Sequence, residues 1–213
     1  MKFLAVFFMM LMVTRSMAMS KNSIENIEPE FRSTFNPLVD KTGFIINQDD
    51  ISCQEIIGKS LLILRTSKDS KKNIKAAKDI FNIELPGTLE MTTGDADLKC
   101  FWISPDEFWV SLNSPQMHQI EQKFVELPLG VSITDNSAAY GTLEFKGKKT
   151  NELLSRWMSY DLEGALTDGK AVSTTFGQAP VFAYRDEKKV FMMVRHSFSH
   201  YVSGLIKDSA KRI

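Results

Sequence analysis

From Cys100 to Leu112 the sequence leaves little choice of conformation. Cys100-Phe101-Trp102-Ile103 and Phe108-Trp109-Val110-Ser111-Leu112 are aromatic and β-branched, and the polar Ser104-Pro105-Asp106-Glu107 lies between them. Such runs suit a half-buried sheet. Proline presets φ at the second turn position, and the aspartate after it bonds locally. The stretch therefore reads as a β-hairpin. With a helical segment on each side, it stands at the centre of an α+β domain.

The flanks repeat that alternation. A strand is centred on Leu61–Leu64, within Ile56 to Thr66, and Ser67 or Ser70 can cap a helix over 70–81. In that helix Ile74, Ala77, Ile80 and Phe81 share one face. After the hairpin, Ser114-Pro115 opens a helix with Met117, Ile120 and Phe124 on one side, closed by Pro128 and Gly130. Strands follow over 131–134 and 138–145, then a helix over 149–158 with Leu153, Leu154 and Trp157 as its buried stripe. Tyr160 to Gly169 reads as a loop. Ala171–Phe176 and Pro180–Tyr184 read as strands paired about Gly177, Val190–Val194 pairs back, and Ser197 caps a last helix to about Lys211. Phe198, Tyr201, Val202 and Leu205 give that helix its apolar face. Antiparallel strands interleaved with about four helices suit an α+β sandwich of the ferredoxin-like kind better than a doubly wound parallel sheet. No internal repeat is visible.

Residues 19–55 are polar and irregular and read as an extended arm, either laid on a partner or a disordered tail. Residues 56–213 then form a single α+β domain. Residues 1–18 contain an apolar run, Phe3 to Val13, followed by small residues at Ser16 and Ala18. This pattern fits a signal peptide, or a start codon placed upstream of a natural beginning at Met19.

Composition excludes several classes. Lys+Arg and Asp+Glu are 26 each, so no global footprint for nucleic acid follows. The lysines of 68–78 alternate with Ile74, Ala76 and Ala77, as on a solvated helix face. Two cysteines, Cys53 and Cys100, allow neither a disulfide scaffold nor a four-cysteine zinc site.

Candidate chemistry is sparse. Gly147-Lys148-Lys149-Thr150 resembles the tail of a phosphate-binding loop, but Thr142 stands where the first glycine belongs and an extra lysine precedes Thr150. His196 and His200, four apart, could supply half a zinc site, yet Ser197 occupies the position of a catalytic glutamate. His118 is the remaining histidine. No Gly-x-Ser-x-Gly elbow occurs. Cys100 has only Lys99 beside it to lower its pKa and reads as core. Trp102, Trp109 and Trp157 read as core or a protein interface. The pattern favours a binding or structural subunit over a free-standing enzyme.

Several short segments share an order with one family. They are Phe35-Asn36-Pro37-Leu38; Ile51-Ser52-Cys53-Gln54-Glu55 followed by Leu61 to Arg65; Ile103 to Phe108; Val131 to Asp135; Leu143 to Leu154; Asp161-Leu162; and Arg195-His196-Ser197-Phe198-Ser199. Through them the chain resembles the gamma subunit of heterotetrameric sarcosine oxidase from about Phe35 to Lys211. It departs from the family pattern at Ser104, at Trp157-Met158-Ser159-Tyr160 and at Tyr201-Val202-Ser203. These leave the subfamily open, since related complexes act on other N-methyl amino acids.

The resemblance implies a T-protein-like fold and a place in a complex that oxidatively demethylates sarcosine to glycine. The methyl group passes to tetrahydrofolate or leaves as formaldehyde, and oxygen becomes peroxide. The implied FAD, FMN, NAD, zinc and tetrahydrofolate sites belong to alpha, beta and delta subunits. For this chain the resemblance implies no catalytic, cofactor-binding or metal residue, no membrane or nucleic-acid partner, and a cytoplasmic location. It would act as an assembly subunit packed against alpha through uncovered aromatics and the arm before Asp50. Two other readings stand beside it: a stand-alone folate-binding or aminomethyltransferase-like protein, and an exported binding protein if the leader is real.

Overall fold

A computed structural model describes residues 33–66 and 70–213. The first 18 residues and the beginning of the arm lie outside the described residues. The described strands are β1 (Phe44–Gln48), β2 (Ile51–Ile56), β3 (Lys59–Thr66), β4 (Met91–Thr93), β5 (Lys99–Ser104), β6 (Glu107–Asn113), β7 (Val131–Asp135), β8 (Tyr140–Lys146), β9 (Ala171–Phe176), β10 (Ala179–Asp186) and β11 (Lys189–Arg195). The α-helices are α1 (Lys71–Phe81), α2 (Ser114–Glu121), α3 (Thr150–Ser155) and α4 (Ser199–Ala210). The strands form two antiparallel sheets, one in the order β1-β2-β8-β11-β10-β9 and one in the order β4-β5-β6-β3-β7.

Within the smaller sheet, β3-α1-β5-β6-α2-β7 is a split β-α-β unit: β7 lies beside β3, and the β5–β6 hairpin closes the other side. The larger sheet repeats the scheme with β8-α3-β10-β11-α4, and β2, from the beginning of the domain, takes the last strand's place beside β8. Two topologically equivalent halves thus arise from a sequence without a visible repeat. The same arrangement corrects the arm. Residues 44–48 and 51–56 are strands, because Ile51, Cys53 and Glu55 alternate inward with a period of two and β2 is paired on both sides. The chain enters at Ser33–Phe35, held by the buried Glu55 carboxylate, which accepts from Thr34 N at 2.7 Å and from the Ser33 hydroxyl.

The two sheets stack face to face. Leu61, Phe101, Phe182, Tyr184 and Met193 fill the space between them. Aromatic rings knit this layer: Phe101 lies 5.3 Å from Phe182 and 4.7 Å from Tyr184, and Tyr184 stacks on Phe191 at 4.8 Å. Helices α3 and α4 cover the outer face of the larger sheet through Leu153, Leu154, Val202 and Ile206. Helices α1 and α2 cover the smaller one through Ala77, Phe81 and Ile120. The β5–β6 hairpin forms with Pro105-Asp106 at its tip, but it is buried on both faces rather than one. Cys100, Phe108 and Val110 point to the helices, and Phe101 and Trp109 to the opposite sheet. This double burial explains its near-continuous apolar composition.

Helix α1 is capped by Ser70, whose side chain accepts from Asn73 N. The last helix differs from expectation. Ser197 is exposed and caps nothing; a 3-10 turn over His196–Phe198 precedes α4. Its buried face is Ser199, Val202, Ser203, Ile206, Ser209 and Ala210, while Tyr201 points outward. The serines are small enough to let the helix lie close on the sheet, and small polar residues escape a search for apolar spacing. Trp157 is likewise not buried. It falls two residues beyond α3, which ends at Ser155.

Candidate functional site

The residues flagged in the sequence do not gather into a catalytic centre. Gly147 has φ +114°, and a Cβ there would lie 2.1 Å from the Asp50 carbonyl oxygen. The glycine serves close backbone approach. The turn's own N–H groups are engaged: Lys149 N donates to Asp50 O at 3.1 Å and Thr150 N to Gly147 O at 3.2 Å. His196 and His200 are exposed, and among the described residues no three His, Cys, Asp or Glu side chains group as a metal site. Cys53 and Cys100 lie in separate cores and are both free. Burial pushes the Cys100 thiol up to about 12 and raises that of Cys53 as well. Neither is a thiolate nucleophile near neutrality.

Three surface features remain. The first is an aromatic patch where the β9–β10 turn meets α4. Trp157 is 37% exposed and Tyr201 40%. The turn is wedged between them: Gly177 N donates to Trp157 O at 2.8 Å, and Gln178 N donates to the Tyr201 hydroxyl at 3.2 Å. The Trp157 indole donates to Ser209 Oγ at 2.9 Å, which holds the ring upright beside a groove of about 290 Å³ bounded by Arg156, Asp208 and Arg212. Large, rigid, half-exposed rings with a fixed polar handle are typical of protein contact surfaces.

The second is a slot of about 390 Å³ between the sheets, walled by Trp109, Tyr140 and Phe182 with Arg195 among its lining. Trp109 lies 5.0 Å from Tyr140, and Arg195 Nε donates to the Tyr140 hydroxyl at 2.9 Å. Sequence reasoning assigned Arg195 no partner, because Tyr140 is 55 residues away and only the β8–β11 pairing joins them.

The third lies toward the other end of β10 and β11. It is a cavity of about 240 Å³ whose charges include Lys59, Lys99, Lys189, Asp97, Glu144 and Asp186. Lys99 is 5% exposed and reaches Asp97, and Asp186 at 2.8 Å. Lys59 pairs with Asp97 at 2.6 Å, and Lys189 with Glu144 at 3.1 Å. Burial works to lower the Lys99 pKa, but Asp186 and Asp97 outweigh it and hold the ammonium above its ordinary value. Burial likewise opposes ionisation of Asp97, and Lys59 and Lys99 prevail, lowering it. The Tyr184 phenol is raised by burial and by the carboxylates of Asp97, Asp186 and Glu144. None of these groups stood out in the sequence, because five different strands supply most of them.

Two stacked antiparallel sheets flanked by helices define an α+β sandwich of the T-protein-like class. A solved structure titled the heterotetrameric sarcosine oxidase from Corynebacterium sp. U-96 in complex with pyrrole 2-carboxylate contains a chain of this fold. It matches at TM-score 0.73 and 20% identity over 85% of this chain and 95% of that one. The glycine cleavage system aminomethyltransferase T from Bartonella henselae matches at TM-score 0.53 and 12% identity, covering 83% of this chain and 53% of its own. No curated protein matches the sequence. Residues 67–212 match the sarcosine oxidase, gamma subunit family, and the chain belongs to that family. Among the described residues no helix is long and apolar enough to cross a membrane.

Proposed function

We propose that the chain is the non-catalytic gamma subunit of a heterotetrameric sarcosine oxidase, docked on alpha and assembled with beta and delta. The complex would oxidise sarcosine to glycine, releasing peroxide and passing the methyl carbon to tetrahydrofolate or to formaldehyde. The family match over residues 67–212 carries this reading. The two thiols are buried and raised, and His196 and His200 are exposed on the surface, which fits a subunit whose flavin, nicotinamide and zinc chemistry is carried by its partners. The half-exposed Trp157 and Tyr201 give the chain a face for docking. A cytoplasmic location follows if the complex serves amino-acid catabolism.

The test is affinity purification of the tagged chain from its native host. Flavin-containing partner chains should co-purify and release peroxide on addition of sarcosine. Recovery of the chain alone, or of partners inert to sarcosine and other N-methyl amino acids, would overturn the reading. Replacing Trp157 and Tyr201 together by alanine should weaken partner recovery by about 2 kcal/mol or more, as for a central aromatic hot spot.

A further inference from the structure

The outer edge of β9 is open where it passes the aromatic slot. Phe176 and Ala179 close the two-residue turn Gly177-Gln178, so the backbone groups of Val172, Thr174 and Phe176 face β10 and those of Ala171, Ser173 and Thr175 face away from it. Ala171 N donates to Leu89 O at 3.1 Å. The N–H and C=O groups of Ser173 and Thr175 have no partner among the described residues, and both residues are exposed. Native sheets blunt such edges with lysine, proline or a bulge. The stretch from Ser173 to Thr175 has none of these, and its register with β10 is unbroken. At the opposite edge of the same sheet, β1 carries an irregularity between Phe44 and Ile46.

A second observation concerns side chains and is independent of the edge. Ser173 pairs with Phe182 and Thr175 with Pro180, so all four share the face of the sheet that lines the slot. A strand added antiparallel to β9 would place the side chains opposite Ser173 and Thr175 on that same face. The slot, about 390 Å³, leaves room there for an aromatic ring against Trp109 and Phe182. Arg195 is the one charged residue in its lining. Its Nε is engaged by the Tyr140 hydroxyl at 2.9 Å, and its terminal nitrogens have no carboxylate partner among the described residues. Its field favours an acidic occupant and disfavours a basic one. The open edge also runs into the turn held between Trp157 and Tyr201, so it is continuous with the aromatic patch.

We infer that β9 accepts an extended segment of a partner chain as an added antiparallel strand, with an aromatic side chain opposite Ser173 in the slot and an acidic one opposite Thr175, on the Arg195 side. In this mode main-chain hydrogen bonds supply affinity, and a pocket for alternate side chains supplies specificity. The inference stands on the edge and the slot and is independent of the subunit assignment, so failure of the co-purification above leaves it intact.

NMR titration of the full-length chain tests it with the blocked peptide acetyl-Thr-Glu-Thr-Phe-Thr-amide, whose glutamate and phenylalanine meet Thr175 and Ser173 in the antiparallel register. Saturable shifts of the Ser173 and Thr175 amides are expected. Replacing the peptide's phenylalanine by alanine should weaken binding about tenfold, and replacing its glutamate by lysine several-fold. Thr175→Pro removes an N–H that faces away from β10, a change an edge strand tolerates, and should weaken binding about tenfold. Arg195→Glu should reverse the preference between the glutamate and lysine peptides. Absence of saturable binding to the wild-type chain overturns the inference, as does unchanged affinity in the Thr175→Pro chain. Hydrocinnamate binding as tightly as the peptide also overturns it, since the slot would then be a site for a small free acid. If Thr175→Pro fails to fold, Arg195→Glu, at an exposed position, and the peptide comparisons decide.

Discussion

Single residues in this chain are governed by how closely backbone and side chains crowd them. Cys53 and Cys100 are each fully buried and sit on different sides of the sandwich, so neither can reach the other. With both thiol pKa values raised by burial, the native chain should resist alkylation by iodoacetamide at pH 8, and both thiols should react once denaturant is added. Rapid native modification of either would mean that its core is open. Gly147 is a similar case. Its positive φ and the Asp50 carbonyl leave no room for a methyl group. Gly147→Ala should cost roughly 2 kcal/mol or more in denaturant unfolding, through strain rather than lost contacts.

Among the elements, the β5–β6 hairpin and α4 carry the clearest expectations. Phe101 is fully buried and touches both Phe182 and Tyr184 from the opposite sheet. Phe101→Ala should therefore cost about 3–5 kcal/mol. Helix α4 offers an internal contrast. Ile206, fully buried, should cost about 2–5 kcal/mol on truncation to alanine, whereas Tyr201→Ala should cost about 1 kcal/mol or less. Equal losses would place the helix in the orientation that apolar spacing suggests, with Tyr201 inward. Thermal or urea unfolding of the two variants separates the orientations.

At the scale of the whole molecule, the two sheets are tied by charge as well as by rings. Lys99 of β5 reaches Asp186 of β10 across the interface, and Asp97 joins the cluster. Asp97 is held below its ordinary value of 3.8, so its contribution is present above that pH and is lost as pH falls through the depressed value. Lys99 is held above 10.5, so its contribution is present below that pH and is lost as pH rises through the raised value. The melting temperature should therefore fall at both extremes, and Asp97→Asn should flatten the acid limb. Deleting the chain through residue 56 removes both β1 and β2 and should leave an insoluble product, because it exposes the edge of β8.

The sequence by itself determined the elements and the class. Turn chemistry at Pro105-Asp106, the Ser70 cap and period-two apolar runs act over a few residues, so their outcome is readable locally, and they specify antiparallel strands interleaved with helices. The family was also legible, through short motifs spread from Phe35 to Lys211. What tertiary structure alone decided is everything that depends on residues far apart in the chain. The end of the arm became β2 because β8, about 90 residues later, offers it an edge. The sequence shows no repeat, yet two equivalent halves form, since topology constrains strand order rather than residue identity. Tyr201 came to face outward because small serines occupy the buried side of α4, and Trp157 because it falls beyond the end of α3. The charge-lined cavity assembled from β3, β5, β8, β10 and β11, whose residues become neighbours only when the two sheets close on each other.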